Sequence, residues 1–328
     1  MEVTHLCQSD RVTSSSVCVL GLGLIGGSIL RATHDAGRRV WGWNRSADAI
    51  AGAADDGYDV GTDLTAALTR AADEDALIVI AVPMPAVDSV LQAIAEHAPA
   101  APITDVVSVK AEVAAAVAAR GLQARYVGGH PMAGTNHSGW AATDPALFTD
   151  AVWVVSTDPG VDADVWVRVA QLALDCGSVV VPAGSVEHDS AVARISHLPH
   201  LLAEALAIVG AAGGPLALGL AAGSFRDGTR VASSAPTLVR AMTEGNATAL
   251  RTALDEALHA LTAAREKLDQ HSTETLVDAG HAARLQYEQH QRFDITDVTP
   301  GEPGWRENLQ DAGRRGGVVR QIRSASPG

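Results

Sequence analysis

The sequence predicts an α/β chain in two unlike parts: an N-terminal doubly wound, mainly parallel sheet and an all-helical C-terminal domain. Three observations predict it. Short apolar runs of β type alternate with helical patterns as far as Pro182, the signature of successive βαβ units. A glycine-rich turn directly follows the first of these runs. From Val186 to Gln289 the strand signals stop and long helical periodicities take over.

In chain order, residues 17–22 form the first strand and the following helix runs to Ala36. A strand over 39–43 and helices over 46–54 and 63–71 come next. Residues 76–82 are a buried strand ended by Pro83, and 86–96 are helical. Strand 103–107, helix 110–119 and strand 124–128 continue the alternation, and strands 152–156 and 179–182 flank a helix over 162–175. In the second part Leu250, Leu254, Leu258, Leu261 and Leu268 share one helix face, and Arg251/Asp255 and Arg265/Asp269 suit a solvated edge. The apolar stripes there exceed what one sheet could cover, which predicts a helical homodimer interface. The expected organisation is a flexible N-terminus (1–16), a dinucleotide-binding domain (17–183), a helical substrate and dimerisation domain (184–290) and a loosely held tail (291–328) rich in Gly, Arg and Pro.

Composition narrows the function classes. The 328 residues suit about two domains. A formal net charge of −14 argues against nucleic acid, whose phosphates require a basic excess. Any anionic ligand must be held by local arginines and helix N-termini. No uninterrupted apolar run approaches the roughly 18 residues of a membrane span, and the polar N-terminus has no secretory core. Cys7, Cys18 and Cys176 share no metal-like spacing and suggest no disulfide framework. The expectation is a cytoplasmic enzyme with no membrane partner.

Gly21-Leu22-Gly23-Leu24-Ile25-Gly26 follows a strand and opens a helix, the context in which a GxGxxG run is informative. Gly21 makes the tight turn, Gly23 lets a pyrophosphate approach the backbone, and Gly26 permits close helix–strand packing. Val82 and Pro83, where a central strand ends, are further expected cofactor contacts. The second strand ends in Asn44-Arg45-Ser46, where a carboxylate would accept bonds from the NAD ribose. An amide, a cation and a hydroxyl suit a 2′-phosphate, so NADP is favoured over NAD.

Three further segments gather chemistry-bearing residues. Ser108 lies just past a strand, where ligands sit in a doubly wound sheet. His130 lies in Gly128-Gly129-His130-Pro131-Met132-Ala133-Gly134-Thr135-Asn136, again expected in a loop past a strand. The helical part offers Glu187-His188-Asp189, Ser196-His197-Leu198-Pro199-His200 and Arg226-Asp227-Gly228-Thr229-Arg230. His188, His197 and His200 are metal-ligand types, but Pro199 interrupts the pair and no HExxH is present, so no metal is expected. His188 and His197 read equally well as helix-packing histidines, and His200 as facing a cleft. Arg226 and Arg230 could each bind a carboxylate, with Arg226 the better candidate for pairing with Asp227.

The glycine loop, DVVSVK, GGHPMAG, EHD, SHLPH and SFRDGTR together resemble the prephenate/arogenate dehydrogenase family of tyrosine biosynthesis, from Val17 to Gln289. HPMAG and SHLPH are the more specific blocks, and the short monofunctional actinobacterial form is the nearest in kind. The resemblance implies a Rossmann domain, a helical homodimer domain, and conversion of prephenate with NAD(P)+ to 4-hydroxyphenylpyruvate, CO2 and NAD(P)H. It implies that His130 takes the ring-hydroxyl proton and that Ser108 orients hydroxyl and histidine. Arg230 matches the arginine for a substrate carboxylate. Ser196, His200 and Thr135 match positions lining the side-chain end, and His188, Asp227 and Asn136 a surrounding polar network, with His197 a further expected substrate contact. Many family members carry an acid at position 136. Neutral Asn136 removes an attraction for the ammonium of arogenate, which favours prephenate. The rival readings are a β-hydroxyacid dehydrogenase or imine reductase, and a non-catalytic NADP sensor.

Overall fold

The computed structural model describes residues 15–135 and 137–322, so most of the expected flexible N-terminus lies outside the described residues. The sheet is built from β1 (Val17–Leu20), α1 (Leu24–Asp35), β2 (Val40–Trp43), α2 (Ala47–Asp55), β3 (Val60–Gly61), α3 (Leu64–Asp73), β4 (Leu77–Ile80), α4 (Met84–His97), β5 (Ile103–Asp105), α5 (Ala111–Ala119), β6 (Tyr126–Pro131), β7 (Val152–Ser156), α6 (Ala163–Asp175) and β8 (Val179–Ala183). The strand order is β3-β2-β1-β4-β5-β6-β7-β8. Every pair is parallel except β6 with β7. β1 and β4 are apolar throughout and fully buried, because helices cover both faces of a parallel sheet. Ser46, Asp63 and Asp162 cap α2, α3 and α6, each side chain accepting from backbone N–H groups of the first turn.

Register fixes what the sheet presents. Leu20 pairs Ile80, Ile80 pairs Asp105, and Asp105 pairs Gly128, so β1, β4 and β5 end level. The strand order reverses between β1 and β4, which opens the crevice where such sheets bind ligands. β6 runs on past β5, and there it pairs only with β7, His130 opposite Val154. His130 therefore stands inside a strand, not in a loop after one. The sequence reading ended this strand at Gly128 because Gly-Gly-His-Pro lacks strand formers; the antiparallel partner supplies the missing pairing. The short β3 was also not anticipated.

A second unit comprises Glu187–Gln291. Its helices follow from α7 (Ser185–Val192) through a π-helical turn (Ala193–His197) to α8 (Leu198–Ala212), α9 (Gly214–Gly219) and α10 (Gly223–Thr229). A 3-10 turn (Arg230–Ser233) precedes α11 (Pro236–Gly245), α12 (Ala247–Leu268) and α13 (Glu274–Gln289). Its buried apolar cluster is small, centred on Ala193, Leu250 and Ala253. Ile208, Val209, Leu216 and Leu220 are 69–74% exposed, and Leu258, Leu261 and Leu268 are 50–55% exposed, so much apolar surface is uncovered in a single chain. The run Ser185–Ala212 is by length and composition apolar enough to cross a membrane, although Glu187, Asp189, Arg194 and Glu204 break its sequence into shorter apolar stretches.

The chain then returns to the first unit. β9 (Phe293–Asp294) pairs in parallel with β10 (Gly317–Val318), on either side of α14 (Trp305–Arg314). Trp305, Leu309 and Ala312 on α14 are buried, and the Trp305 ring meets Trp166 edge to face with centroids 5.8 Å apart. Val319 exchanges both backbone hydrogen bonds with Val180 of β8, at 3.0 and 2.8 Å. The segment expected to be a loose tail thus covers an edge strand that would otherwise offer unpaired backbone groups. Its Gly and Arg content hid an amphipathic helix. Leu309 is 1% exposed, and Leu309→Ala is expected to lower unfolding free energy by about 2–5 kcal/mol, read by urea denaturation. A loose tail would leave the midpoint unchanged.

Candidate active site

At the glycine loop, Gly21 has φ +109°, and a Cβ there would stand 2.6 Å from the Ala81 carbonyl oxygen. Only glycine fits both the backbone and the space. Gly26 packs directly on Gly21. Gly23 differs: it is exposed, and a Cβ on it would meet nothing within 4 Å. Packing does not require glycine at 23, but a close-approaching pyrophosphate would. Gly23 also caps α1 with no side-chain bond to its first turn, which suits anion binding at that end. The loop therefore fits a dinucleotide. Leu22 is buried in the core, so only its backbone can serve a ligand, while Leu24 and Ile25 are half-buried. Val82 is buried, and Pro83 is exposed at the start of α4. Asn44 is half-buried beyond β2, Arg45 is exposed, and the Ser46 hydroxyl accepts from the Ala49 N–H at 3.5 Å.

Asp105, at the end of β5, is 0% exposed and is the anchor of the next loop. Its carboxylate accepts from Lys110 Nζ, from the Tyr126 hydroxyl at 2.6 Å and from the Val107 N–H at 2.8 Å. Lys110 is itself fully buried, so the two charges neutralise one another away from water. Half-buried Ser108 is held between these points. The same network leaves no room beside it on β6. A Cβ at position 128 would lie 2.6 Å from Ser156 Oγ and 2.9 Å from Tyr126 Oη. One at position 129 would lie 2.8 Å from the Asp105 carbonyl oxygen. The two glycines before His130 are thus packing requirements. His130 is half-buried and Thr135 is exposed; Asn136 lies outside the described residues.

In the helical unit His188 and Asp189 are buried, with His188 Nδ1 2.8 Å from Asp189 Oδ1. His197, on the π turn, is 1% exposed. Asn246 Nδ2 donates to the Asp189 carbonyl oxygen at 2.7 Å and lies 3.2 Å from His197 Nδ1. A carbonyl can only accept, so that amide atom is the nitrogen and it donates to the ring as well. His197 Nδ1 is the acceptor, and its proton sits on Nε2. Half-buried His200 has the opposite tautomer: its Nδ1 is 3.0 Å from the Ser196 carbonyl oxygen and must donate. Neutral His200 therefore offers an Nε2 lone pair. Of the two readings of His188 and His197, burial with hydrogen-bond partners is what is observed. Ser196 is half-buried on the same π turn. Arg226 lies 3.8 Å from Asp227, with both side chains exposed, while Arg230 is exposed at the start of the 3-10 turn. Burial pushes the Cys176 thiol up to about 12 and Cys18 higher still, so neither is a nucleophile.

Asp105, Lys110, Tyr126 and Asn246 lie outside the set of site residues expected from the sequence. A lysine in the apolar setting of DVVSVK was a visible signal. Asn246, a polar residue before a helix, reads as an ordinary cap.

Residues 29–182 match the family description "Prephenate dehydrogenase, nucleotide-binding domain", and residues 184–279 match "Prephenate dehydrogenase, dimerization domain". The long apolar helical run lies in the second match. The chain is 32% identical to prephenate dehydrogenase of Bacillus subtilis (strain 168) over 272 residues, covering 80% of this chain and 72% of that protein. A solved structure from Corynebacterium glutamicum, named as a candidate prephenate dehydrogenase, superposes with TM-score 0.90 at 52% identity and covers 94% of this chain and 99% of that one. The arogenate dehydrogenase of Synechocystis superposes with TM-score 0.72 at 28% identity, over 83% of this chain and 99% of that one.

His197 gives a test of the helical unit. Burial pulls its pKa down from 6.5 to about 4, with Asp189 opposing and His188 and His200 reinforcing. The unfolded chain takes up this proton near pH 6.5 and the folded chain only near 4. The stability contributed by neutral His197 is therefore complete above 6.5 and is lost as pH falls to 4. Unfolding free energy is expected to fall by on the order of 1 kcal/mol per pH unit across that window, and His197→Gln to flatten the slope. Equal slopes for both proteins, by denaturant titration, would rule this out.

Proposed function

The chain belongs to the prephenate dehydrogenase family, and from that premise we propose that it oxidatively decarboxylates prephenate to 4-hydroxyphenylpyruvate in tyrosine biosynthesis, with NADP+ favoured over NAD+. The observation that carries this reading is the level end of the sheet. β1 passes into Gly21, β5 into the Ser108 loop, and β6 reaches His130 two residues beyond the Asp105–Gly128 register.

The bound dinucleotide supplies the hydride acceptor. His130 accepts the proton of the ring C4 hydroxyl, which a neutral imidazole does well near pH 7. Ser108, held by the Asp105–Lys110 pair, orients that hydroxyl and the imidazole. Loss of the ring carboxylate as CO2 restores aromaticity and makes the step irreversible. Arg230 holds a substrate carboxylate bidentately. Ser196, His200 and Thr135 line the side-chain end, and His188, His197, Asp227 and Asn136 complete its polar surroundings. Asn44, Arg45 and Ser46 receive the 2′-phosphate; exposed Arg45 is the cation of that trio. The uncovered apolar stripe of the helical unit supports a homodimer made through it.

The decisive assay is reduced-nicotinamide formation with prephenate or arogenate, each with NAD+ or NADP+. Turnover is expected with prephenate, and kcat/KM higher with NADP+. Turnover with arogenate alone would overturn the substrate choice, and a strong NAD+ preference the reading of Arg45. His130→Asn is expected to lower kcat by about 10²–10⁴-fold with binding retained, and Arg230→Ala chiefly to raise KM. Near-normal turnover by His130→Asn would refute its role as base. Asn136→Asp is expected to increase arogenate use, and an unchanged ratio of kcat/KM for the two substrates would count against it.

A further inference from the structure

We infer that Trp140, held by Arg31 and Asp56, is a positioning residue that fixes the stretch carrying Thr135 to the two helices behind the cofactor loops. That stretch leaves β6 at Met132, whose N–H bonds the Val152 carbonyl at 2.7 Å. Its other end is Trp140, only 8% exposed. The indole N–H donates to Asp56 Oδ2 at 2.9 Å, and Asp56 follows the last turn of α2. Arg31 of α1 lies over the indole, its Cζ 4.3 Å from the ring centroid. The same guanidinium donates to Asp56 at 2.6 Å and to Thr143 Oγ1 at 2.7 Å. The bonds from Trp140 and Arg31 hold the Asp56 carboxyl below its ordinary range.

The seat for the indole is cut into both helices. A Cβ at Gly27 of α1 would lie 3.1 Å from the Trp140 ring and 2.5 Å from Thr143. One at Gly52 of α2 would lie 2.9 Å from Trp140 Cδ1. The Asp144 N–H adds a bond to Ser28 Oγ of α1 at 3.0 Å. α1 begins at the glycine loop and α2 directly after Asn44-Arg45-Ser46. One aromatic side chain therefore registers the far end of the post-His130 stretch against both elements proposed to carry the cofactor. Loosening it should weaken substrate capture without weakening the cofactor loops, which are built by Gly21 and Gly26.

The inference rests on the activity proposed above, so its test has two arms. In the kinetic arm, Trp140→Leu is expected to raise the prephenate KM about tenfold, leaving cofactor KM and kcat within about threefold. Trp140→Phe, which keeps a ring under Arg31, is expected to recover most of that loss. Prephenate KM unchanged in Trp140→Leu, or cofactor KM rising in step with it, overturns the inference. Asp56→Ala removes only the half-exposed acceptor and serves if Trp140→Leu does not fold; a rise of about threefold in prephenate KM is expected, and none overturns the inference. The second arm needs no substrate. Amide exchange over residues 132–135 and 137–139 is expected to be about fivefold faster in Asp56→Ala than in the unaltered protein, with β1 and β4 unchanged. Equal exchange overturns the inference even if the unaltered protein proves inactive with prephenate, an outcome that would separately sink the proposed function.

Discussion

The buried carboxylate of Asp105 is the constraint on which the end of the sheet that carries Ser108 and His130 depends. A charge at 0% exposure is tolerable only when fully compensated, and here Lys110, Tyr126 and the Val107 N–H share that task. Each partner has a structural consequence. The Val107 bond turns the chain sharply after β5. The Lys110 bond fixes the first residue before α5, and Ser108 lies between the two. The Tyr126 bond ties the start of β6 to the end of β5. The crowding around these groups excludes side chains at positions 128 and 129, so β6 passes close by and delivers His130 beyond it. Removing one charge would leave the other buried without compensation, typically a loss of about 3–5 kcal/mol.

The parallel part of the fold was legible because it is governed by local rules. Apolar runs such as Leu77–Ile80 and caps such as Asp63 and Asp162 announce strands and helices without tertiary information. What escaped was set by partners distant in sequence. β3 is two residues long and exists only as an edge on β2. Residues 129–131 are extended because β7, more than twenty positions later, pairs with them. The segment after Arg292 has the composition of a loose tail, yet three apolar side chains at helical spacing dock on a sheet edge that the sequence alone could not show to be uncovered.

The candidate site divides in the same way. Gly21 and Gly26 were readable because a turn and a close contact leave only glycine as a choice. Their positions match the structural demand, whereas no packing contact demands glycine at 23. The histidines were ambiguous for a physical reason: a buried histidine and a ligand-facing one need the same short-range sequence, and only burial separates them. Asn246, 49 positions from His197, decides the tautomer of that ring through a contact no local pattern contains.

Those tautomers bear on how so acidic a chain manages an anionic substrate. A net charge of −14 gives no long-range attraction, so recognition has to be local. Protonated histidines would be one solution, but burial keeps His197 neutral down to about pH 4, so it contributes no positive charge near neutrality. Its fixed Nε2–H is a dipole only. His200, with Nδ1 committed to the Ser196 carbonyl, has a lone pair at Nε2 when neutral and gains a second donor only on protonation. In the site proposed above, attraction for a carboxylate then falls on Arg230, whose planar guanidinium offers paired donors. The division suits a substrate with unlike ends. In that proposal a guanidinium would hold a carboxylate, while neutral donors and acceptors would discriminate hydroxyl and ketone groups without paying for a buried charge.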